Sequence, residues 1–259
     1  MLNSAEENWS ALVPSGTEAF FFSSLSSTNE CATSLAQKGE KGPLWILAGS
    51  QSAGRGRRGR QWTSYQGNFF GSLLLRPSMK ASDCAALPFA VALAIRDALI
   101  DCGVRESSIQ CKWPNDILID GCKVSGVLIE SAMKADHSLE YLVIGIGVNL
   151  THSPQETKFD AVCLKQKGIE ISVKEFTRFL SLQCEAYLQQ WINKQDEAIY
   201  ASWSAVGWGL GQKRLIRTAT ETFTGVIQRL GVDGGLIVML DDGREKCIYA
   251  GDVFPPNKS

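Results

Sequence analysis

Residues 54–60 read GRGRRGR, which places four arginines and three glycines in one short segment. Guanidinium groups bind phosphate and carboxylate oxygens through paired hydrogen bonds, and glycines let the backbone approach a ligand closely. The segment is therefore compatible with a phosphate-binding turn, a nucleic-acid contact or a mobile solvated loop. The whole chain balances 26 Lys and Arg residues against 27 Asp and Glu residues, which argues against general nucleic-acid binding and indicates a local anion site.

Two nucleotide-binding motifs match this segment in their letters but not in their context. Gly54, Gly56 and Gly59 satisfy G-x-G-x-x-G, yet a dinucleotide-binding turn opens directly into a helix. The residues that follow, QWTSYQGNFF, lead instead into a predicted strand. In the pattern G-x-x-x-x-G-K-[ST], Arg60 and Gln61 replace the lysine and the hydroxyl that binds magnesium. We therefore set both motifs aside.

Lys112, which opens the segment KWPND at 112–116, is the second candidate for chemistry. A reaction between two anions requires fixed cations, because the repulsion between the reactants must be screened. Lys112 stands at the end of a predicted strand, beside the bend at Trp113 and Pro114. Taken alone, a lysine in such a place is more often solvated than functional.

A third group of polar residues begins the first predicted helix. Ser27, Thr28 and Asn29 offer hydroxyl and amide groups, and Glu30 follows Ser27 at the spacing of a capping box. Such groups cap the helix, bind a polar ring that needs donors and acceptors in fixed directions, or do both.

The elements that must position these residues follow from the apolar pattern. Continuous apolar runs predict buried strands, helical spacing predicts helices, and short runs between glycine-rich turns predict a small β domain. The predicted strands and helices are a strand and helix within 18–42, strands at 44–50, 68–77 and 139–150, a three-strand meander over 108–131, and helices at 83–102 and 173–191. This order indicates an α+β fold, a mixed sheet with helices packed on one face, followed by a C-terminal SH3-like β-barrel. The predicted boundaries are an N-terminal extension at 1–19, a main domain at 20–208 and the barrel at 209–259.

Cysteine usage indicates a reducing compartment. The eight cysteines are scattered without a C-x-x-C pair, and the chain has two histidines, so neither disulfides nor a structural zinc site is expected. The first residues, MLNSAEENWSALVPSG, lack the features of a secretory signal, and no apolar run is long enough to span a membrane. We expect a cytoplasmic protein that does not bind membranes.

Several short segments occur together in the order and spacing of one known family. They are SSTN at 26–29, QSAGRGRRGRQW at 51–62, KWPND at 112–116, KVSGVLIE at 123–130 and GIGVNL at 145–150. From about residue 20 to its C-terminus, the chain thereby resembles the biotin–protein ligases, also called biotin–[acetyl-CoA-carboxylase] ligases. The resemblance implies a class II synthetase-like catalytic domain and a two-step reaction. Biotin and MgATP would give biotinyl-5′-AMP and pyrophosphate, and a lysine of a biotin carboxyl carrier protein domain would then attack the mixed anhydride.

The resemblance also implies roles for individual residues. Lys112 and Arg55 would be catalytic. The residues that would bind biotin are Ser27, Thr28, Asn29, Gln51, Arg55, Gly56, Arg57, Lys112 and Gly126. The residues that would bind ATP are Arg57, Arg60, Trp62 and Asn149. Trp62 would pack on the adenine or, alternatively, serve as a core aromatic at the start of a strand.

The remaining polar and glycine positions of the family segments are less specific. Arg58 and Arg60 would face pyrophosphate or solvent. Asp116 and Glu130 would either orient Lys112 or help to hold magnesium, and the sequence does not choose between these roles. Gly126, Gly145 and Gly147 would let the strands pack closely against the ligand. The arginine segment as a whole is expected to close over biotinyl-AMP as a lid.

Two other functions fit parts of the sequence. A lipoate–protein ligase or an octanoyltransferase shares the catalytic fold, but such enzymes do not generally carry the arginine segment. A non-enzymatic RNA-binding module would use the arginine segment alone. The near-neutral charge of the chain and the lack of an aromatic platform argue against that module.

Expectations about partners follow from the ends of the chain and of the sheet. About twenty residues precede the first predicted strand, too few for the helical DNA-binding domain that many bacterial members carry. We therefore expect a monofunctional ligase without operator binding. An exposed edge strand of the main sheet would be able to pair with the carrier or with a second copy of the chain, so a homodimer stays open.

Overall fold

Apolar runs in the sequence become the strands of two sheets in the structure. The computed structural model describes residues 5–155 and 159–256. The strands of the main sheet are β1 (Glu7–Asn8), β2 (Glu18–Phe22), β3 (Leu44–Ala48), β4 (Phe69–Leu75), β5 (Ile109–Lys112), β6 (Asp116–Ile119), β7 (Cys122–Met133) and β8 (Leu139–Val148). The strands of the C-terminal sheet are β9 (Lys213–Arg217), β10 (Thr222–Leu230), β11 (Leu236–Met239), β12 (Glu245–Ile248) and β13 (Asp252–Phe254). The helices are α1 (Thr28–Gln37), α2 (Leu87–Asp101), α3 (Val173–Ile192) and α4 (Asp196–Ala205).

The main sheet is mixed, as the sequence predicted. Its strands lie in the order β1-β2-β3-β4-β8-β7-β6-β5. β2 and β3 pair in parallel, and the other neighbouring strands of the described residues pair antiparallel. Every side chain of β3 is buried, because both faces of the sheet are covered at this point.

The helices pack on both faces of the main sheet, so the prediction that they share one face is wrong for α1. Trp45 and Leu47 of β3 face the core that includes α2, α3 and α4. Leu44 and Ile46, which alternate with them, face a smaller core formed with α1. A strand that is apolar on both sides needs a cover on each face, and α1 provides the second cover.

The helices differ from the predicted ones at the start of α2 and in the additional helix α4, which follows α3 after a short connection. The helix predicted at 83–102 begins at Leu87, and Pro88 lies in its first turn, where no N–H is needed for the helix ladder. α3 matches the predicted range and starts with a capping box between Ser172 and Glu175. α4, which buries Ile199 and Trp203, was not among the predicted helices. Within residues 5–155 and 159–256, no helix is both long and apolar enough to cross a membrane.

One stretch of β7 provides the exposed edge that the sequence analysis expected. β7 pairs with β6 from Cys122 to Gly126, whereas its pairing with β8 continues from Ser125 to Met133. Beyond Gly126, the outer side of β7 has no neighbouring strand among the described residues. The opposite end of the main sheet is the two-residue strand β1.

The C-terminal sheet is antiparallel, with its strands in the order β12-β11-β10-β9-β13. This is consistent with the predicted SH3-like barrel. The sheet begins at Lys213, shortly after the boundary predicted at 209. It docks on the main domain, where the Trp113 indole N–H donates to the Gly234 carbonyl at 3.3 Å. β13 lies next to the KWPND segment as well, since the ring of Phe254 is 5.9 Å from Lys112 Nζ.

Candidate active site

A cavity of about 400 Å³ lies over β7 and β8, which is within the size range of small-molecule sites. The N-terminus of α1, the arginine segment, the KWPND turn and β13 surround it. Each residue for which the sequence implied a role in binding biotin or ATP lines this cavity: Ser27, Thr28, Asn29, Gln51, Arg55, Gly56, Arg57, Arg60, Trp62, Lys112, Gly126 and Asn149. The fold therefore brings together residues from widely separated segments of the chain.

One end of the cavity is neutral and polar. Gln51 accepts hydrogen bonds at Oε1 from the Thr28 N–H (2.9 Å) and the Thr28 hydroxyl (3.2 Å). The fully buried hydroxyl of Ser72 lies 2.7 Å from Thr28 Oγ1 and 2.6 Å from Asn29 Oδ1. These contacts fix the directions of donors and acceptors at the start of α1. Ser27 caps the same helix by accepting from the Glu30 N–H at 3.5 Å.

Ser72 is a site residue that the sequence analysis missed. It lies in the middle of β4, in the run FFGSLLL, where its neighbours are apolar. A lone hydroxyl inside a buried strand is the signal that could have identified it, because buried polar groups need hydrogen-bond partners.

Asn29 connects the polar end to the arginine segment. Its Nδ2 donates to Glu130 Oε2 at 2.8 Å, and Arg55 Nη2 donates to the same carboxylate oxygen at 2.9 Å. Glu130 therefore contacts Arg55 and Asn29 rather than Lys112. A Cβ atom at Gly145 would lie 2.1 Å from Asn29 Oδ1, so this glycine makes the room that Asn29 occupies.

The other end of the cavity is cationic. Lys112, whose side chain is 6% exposed, places its Nζ 3.4 Å from Asp116 Oδ2. Burial lowers the pKa of Lys112, and the Asp116 charge offsets part of that effect. For Asp116, burial raises the pKa, but the charges of Lys123 and Lys112 outweigh it and hold the pKa below its ordinary value. Of the two roles considered for Asp116, the structure shows the contact that orients Lys112.

Lys123 is the second residue that the sequence analysis did not single out. Its Nζ lies 2.5 Å from Asp116 Oδ1 and 5.4 Å from the centre of the Trp62 ring. Its side chain is 27% exposed and lines the cavity, so Lys123 is the more accessible of the two lysines on Asp116. The sequence feature that could have identified Lys123 is its position as the first residue of the KVSGVLIE segment, two residues after the tight turn at Asp120 and Gly121.

Trp62 lies against the glycines of β7 and β8 at the floor of the cavity. A Cβ at Gly147 would come within 2.5 Å of its indole, and a Cβ at Gly126 would come within 3.1 Å. These glycines, which were expected to admit the ligand, are in contact with Trp62 instead. The indole Nε1 is buried and has no hydrogen-bond partner among the described residues.

The arginine segment is a folded turn in this structure. The Gly56 N–H donates to the Arg60 carbonyl at 2.7 Å, and the Trp62 N–H donates to the Gly54 carbonyl at 2.9 Å. Arg57 points inward, where its Nη1 donates to Asn115 Oδ1 at 3.0 Å. Burial, followed by the charge of the neighbouring Arg58, lowers the pKa of Arg57.

Arg58 and Arg60 contact the C-terminal barrel. Arg58 Nη1 donates to Asp252 Oδ2 at 3.3 Å, and Arg60 donates to both oxygens of that carboxylate. The sequence analysis expected these arginines to face pyrophosphate or solvent. Asp252 lies 192 positions after Arg60, too far along the chain for a local sequence pattern to connect the two residues.

Asn149 forms part of the cavity wall, where its side chain is held by the backbone. Its Nδ2 donates to the Val162 carbonyl at 3.2 Å, and its own N–H donates to the Val124 carbonyl at 2.9 Å. Within the described residues, His, Cys, Asp and Glu side chains form no group of three or more that could hold a metal ion.

Taken together, these contacts give one cavity with a neutral polar end and a cationic end. Arg57, Lys112 and Lys123 supply positive charge within it. Such an arrangement is able to hold a polar organic molecule at one end and to bring its anionic group against a phosphate at the other.

Comparison with known proteins gives consistent results. Residues 21–149 match the family model described as the biotin/lipoate A/B protein ligase family. A biotin–[acetyl-CoA-carboxylase] ligase of Paracoccus denitrificans is 36% identical over 235 residues, covering 88% of this chain and 96% of that protein. A bifunctional ligase/repressor BirA of Bacillus subtilis (strain 168) is 31% identical, covering 92% of this chain and 74% of that protein. Among solved structures, a biotin protein ligase from Aquifex aeolicus in complex with biotin and ATP superposes with a TM-score of 0.76 at 26% identity, over 91% of this chain and 97% of that one.

Proposed function

This chain belongs to the biotin/lipoate A/B protein ligase family, and we propose that it is an ATP-dependent biotin–[acetyl-CoA-carboxylase] ligase. In this proposal the chain activates biotin as biotinyl-5′-AMP. It then transfers biotin to one lysine of a biotin carboxyl carrier protein domain. The relatives named biotin–[acetyl-CoA-carboxylase] ligase and the superposable structure with biotin and ATP support this assignment.

The observation that carries the proposal is the pairing of a neutral polar end and a cationic end in one cavity. The first step joins the biotin carboxylate to the α-phosphate of ATP, so two anions must approach each other. The carboxylate oxygen attacks phosphorus, a P–O bond to the β-phosphate breaks, and pyrophosphate leaves with the bonding electrons. Fixed cations that are already in place stabilise the charge that builds up in this step.

The polar end is assigned to the bicyclic ring of biotin. Thr28, Asn29 and Gln51 hold hydroxyl and amide groups in fixed directions, which is what a ureido ring requires. Ser27 caps α1 and lines the same end of the cavity. The network with Ser72 keeps these groups in one arrangement before the ligand arrives.

The cationic end is assigned to the carboxylate and the phosphates. Lys112 and Arg55 retain the catalytic roles that the family resemblance implies, and Lys123 joins them as the accessible lysine on Asp116. Arg57 and Gly56 are placed over the adenylate.

The nucleotide is assigned to Trp62, Arg60 and Asn149. All three line the cavity that holds the lysines, and the family resemblance implies this role for each of them.

Magnesium enters this proposal as an ion bound to ATP. Mg²⁺ is usually held by substrate phosphates with one or two carboxylates and several waters. Asp116 is already paired with two lysines, and Glu130 is paired with Arg55 and Asn29. No residue of this chain is therefore assigned as a magnesium ligand. The ion would supply charge neutralisation on the phosphates.

The second step uses the carrier as its partner. The neutral amine of the carrier lysine attacks the carbonyl carbon of the mixed anhydride, the bond to AMP breaks, and the amine loses a proton. Beyond Val127, which is bonded to Asn115, the outer edge of β7 has no neighbouring strand among the described residues. This edge lies beside the cavity, since Leu128 lines it and Glu130 contacts Arg55. A strand of the carrier or of a second copy of this chain would be able to pair there. The cysteines of the described residues are not joined in disulfides, which supports a cytoplasmic location.

The test of this function uses the purified protein with biotin, ATP labelled at the α-phosphate, Mg²⁺ and an unmodified carrier domain. We expect a labelled biotinyl adenylate without the carrier and a biotinylated lysine with it. A parallel reaction with lipoate in place of biotin tests the related activity of the same fold. Lipoylation without biotinylation, or no adenylate from either acid, would contradict the proposal.

A further inference from the structure

The tip of the arginine segment is bound to the C-terminal barrel through one carboxylate. Arg58 Nη1 and Arg60 Nη1 lie 3.3 Å and 3.2 Å from oxygens of Asp252, and Arg60 Nη2 contacts it as well. The Asp252 side chain is 16% exposed, although both arginines are more open to solvent. A bidentate contact from a guanidinium to a carboxylate has a defined geometry, so it fixes position as well as charge.

Asp252 itself is held in place by the barrel. It opens β13, where it pairs with Arg217 of β9, and the next residue, Val253, is fully packed in the barrel core. Phe254, two positions after Asp252, places its ring 5.9 Å from Lys112 Nζ. The strand that carries Asp252 therefore reaches the cationic end of the cavity, and its position is set by core packing.

The segment that Asp252 holds is strained at its tip. Arg58 has φ 57° and ψ 36°, a left-handed conformation that residues other than glycine rarely adopt. Local hydrogen bonds close the turn, with the Arg60 N–H donating to the Arg57 carbonyl at 3.2 Å. Arg57 is bonded to Asn115 of the main domain, and Asp252 holds Arg58 and Arg60 from the barrel, so the strained tip is fixed between two rigid elements.

The charge state of Asp252 agrees with this geometry. Burial raises the pKa of Asp252. The hydrogen bond from Arg60 and the charges of Arg60, Arg58 and Lys112 lower it by more, so the net pKa is below its ordinary value. Asp252 is therefore ionised at neutral pH and remains a partner for both arginines.

We propose that Asp252 is a positioning residue, through which the C-terminal barrel holds the arginine segment over the nucleotide end of the cavity. Arg57, which points into the cavity from the same turn, then takes up its place without a large rearrangement when ATP binds. This inference rests on the proposed function, because it concerns the binding of ATP. It gives the barrel a defined part in the first half-reaction.

The test compares the variants Asp252→Asn and Asp252→Glu with the wild-type protein. Asp252→Asn keeps the shape and removes the charge, so the KM for ATP should rise about fivefold, with kcat and the KM for biotin within about twofold of wild type. Asp252→Glu keeps the charge and should recover most of the ATP affinity. Asp241→Asn is the matched control, since Asp241 is an exposed barrel carboxylate that contacts Lys213.

A second readout does not depend on catalysis. Trypsin cleaves after arginine, so the rate of cleavage within residues 55–60, followed by mass spectrometry, reports whether the segment is held. Without ligand, Asp252→Asn should be cleaved there several times faster than the wild type, Asp252→Glu and Asp241→Asn. If the proposed function fails, no variant makes adenylate, yet this difference in cleavage remains.

Three results would overturn the inference. One is equal cleavage of Asp252→Asn and wild type, with an unchanged KM for ATP. Another is a lower KM for ATP in Asp252→Asn, because the carboxylate would then compete with the triphosphate. The third is an equal rise of the KM for ATP in Asp252→Asn and Asp252→Glu, together with a lowered melting temperature in both. That result would show that Asp252 serves only the stability of the barrel.

Discussion

Lys123 places its ammonium group 2.5 Å from Asp116 Oδ1, on the opposite oxygen from the one that faces Lys112. One buried carboxylate thus holds two lysines at the cationic end of the cavity. A single negative charge offsets only part of two positive ones, so the group as a whole remains able to attract an anion. The biotin carboxylate and the α-phosphate are the anions that the proposed reaction brings there.

Replacing either lysine should slow the adenylation of biotin. Lys123→Met should lower the rate of biotinyl-AMP formation about 100-fold, because a fixed cation on the reacting oxygens is lost. Lys112→Met should lower it to a similar degree. Lys167→Met is the matched control, since Lys167 forms a pair of 2.7 Å with Asp120 on the surface. Single-turnover adenylate formation measures all three, and wild-type rates in Lys123→Met would exclude it from the reaction.

The pH dependence of adenylation should report the burial of Lys112. Its pKa lies below the ordinary value of 10.5, so the ammonium loses its proton, and the reaction its cation, as the pH rises through that lowered pKa. The rate should therefore fall on the alkaline side at a pH below 10.5. Lys112→Arg keeps a permanent charge and should move that fall to higher pH, even if the rate is lower throughout.

The same shift predicts a change in stability. Between the lowered pKa and 10.5, the unfolded chain binds more protons at Lys112 than the folded chain does. The free energy of unfolding should therefore rise with pH in that window, relative to Lys112→Met. Urea unfolding at several pH values measures this. A difference between wild type and Lys112→Met that stays constant with pH would contradict it.

Gly145 should tolerate no side chain while Asn29 is present. In Gly145→Ala the new Cβ would lie 2.1 Å from Asn29 Oδ1, so Asn29 must leave its contacts with Glu130 and Ser72. We expect the KM for biotin to rise about tenfold. The double variant of Gly145→Ala and Asn29→Ala should be no worse than Asn29→Ala alone. Fully additive losses would mean that Gly145 acts independently of Asn29.

Ser72 should affect the affinity for biotin and not that for ATP. Ser72→Ala removes the buried hydroxyl that contacts Thr28 Oγ1 and Asn29 Oδ1, and the KM for biotin should rise roughly fivefold. The KM for ATP should stay within about twofold. Ser138→Ala, which removes a hydroxyl from a surface turn, is the control. Equal changes in the two KM values would point to a general disturbance of the sheet.

Local sequence signals were sufficient for most of the main sheet. The central strands bury nearly all of their side chains, and such continuous apolar runs are readable without a structure. The family resemblance brought residues as distant as Ser27 and Asn149 into one predicted site, and the structure places them in one cavity. The family assignment itself is confirmed by the comparisons.

Features that depend on tertiary packing could not be predicted from sequence. The all-apolar run of β3 requires a cover on each face of the sheet, but it does not show that α1 provides the second one. Lys112 was singled out because it opens the KWPND segment beside the Trp-Pro bend. Lys123, the more accessible of the two lysines, was not identified individually. The contact of Asp252 with Arg60 joins two domains, and no local pattern encodes it.

The central claim is that the cationic end of this cavity joins biotin to AMP. Biotin-dependent exchange of labelled pyrophosphate into ATP measures that step directly, in the absence of any carrier. We predict exchange by the wild-type protein with biotin, little exchange with lipoate, and exchange reduced about 100-fold in Lys123→Met. Exchange that is independent of biotin, or no exchange by a folded wild-type protein, would contradict the claim.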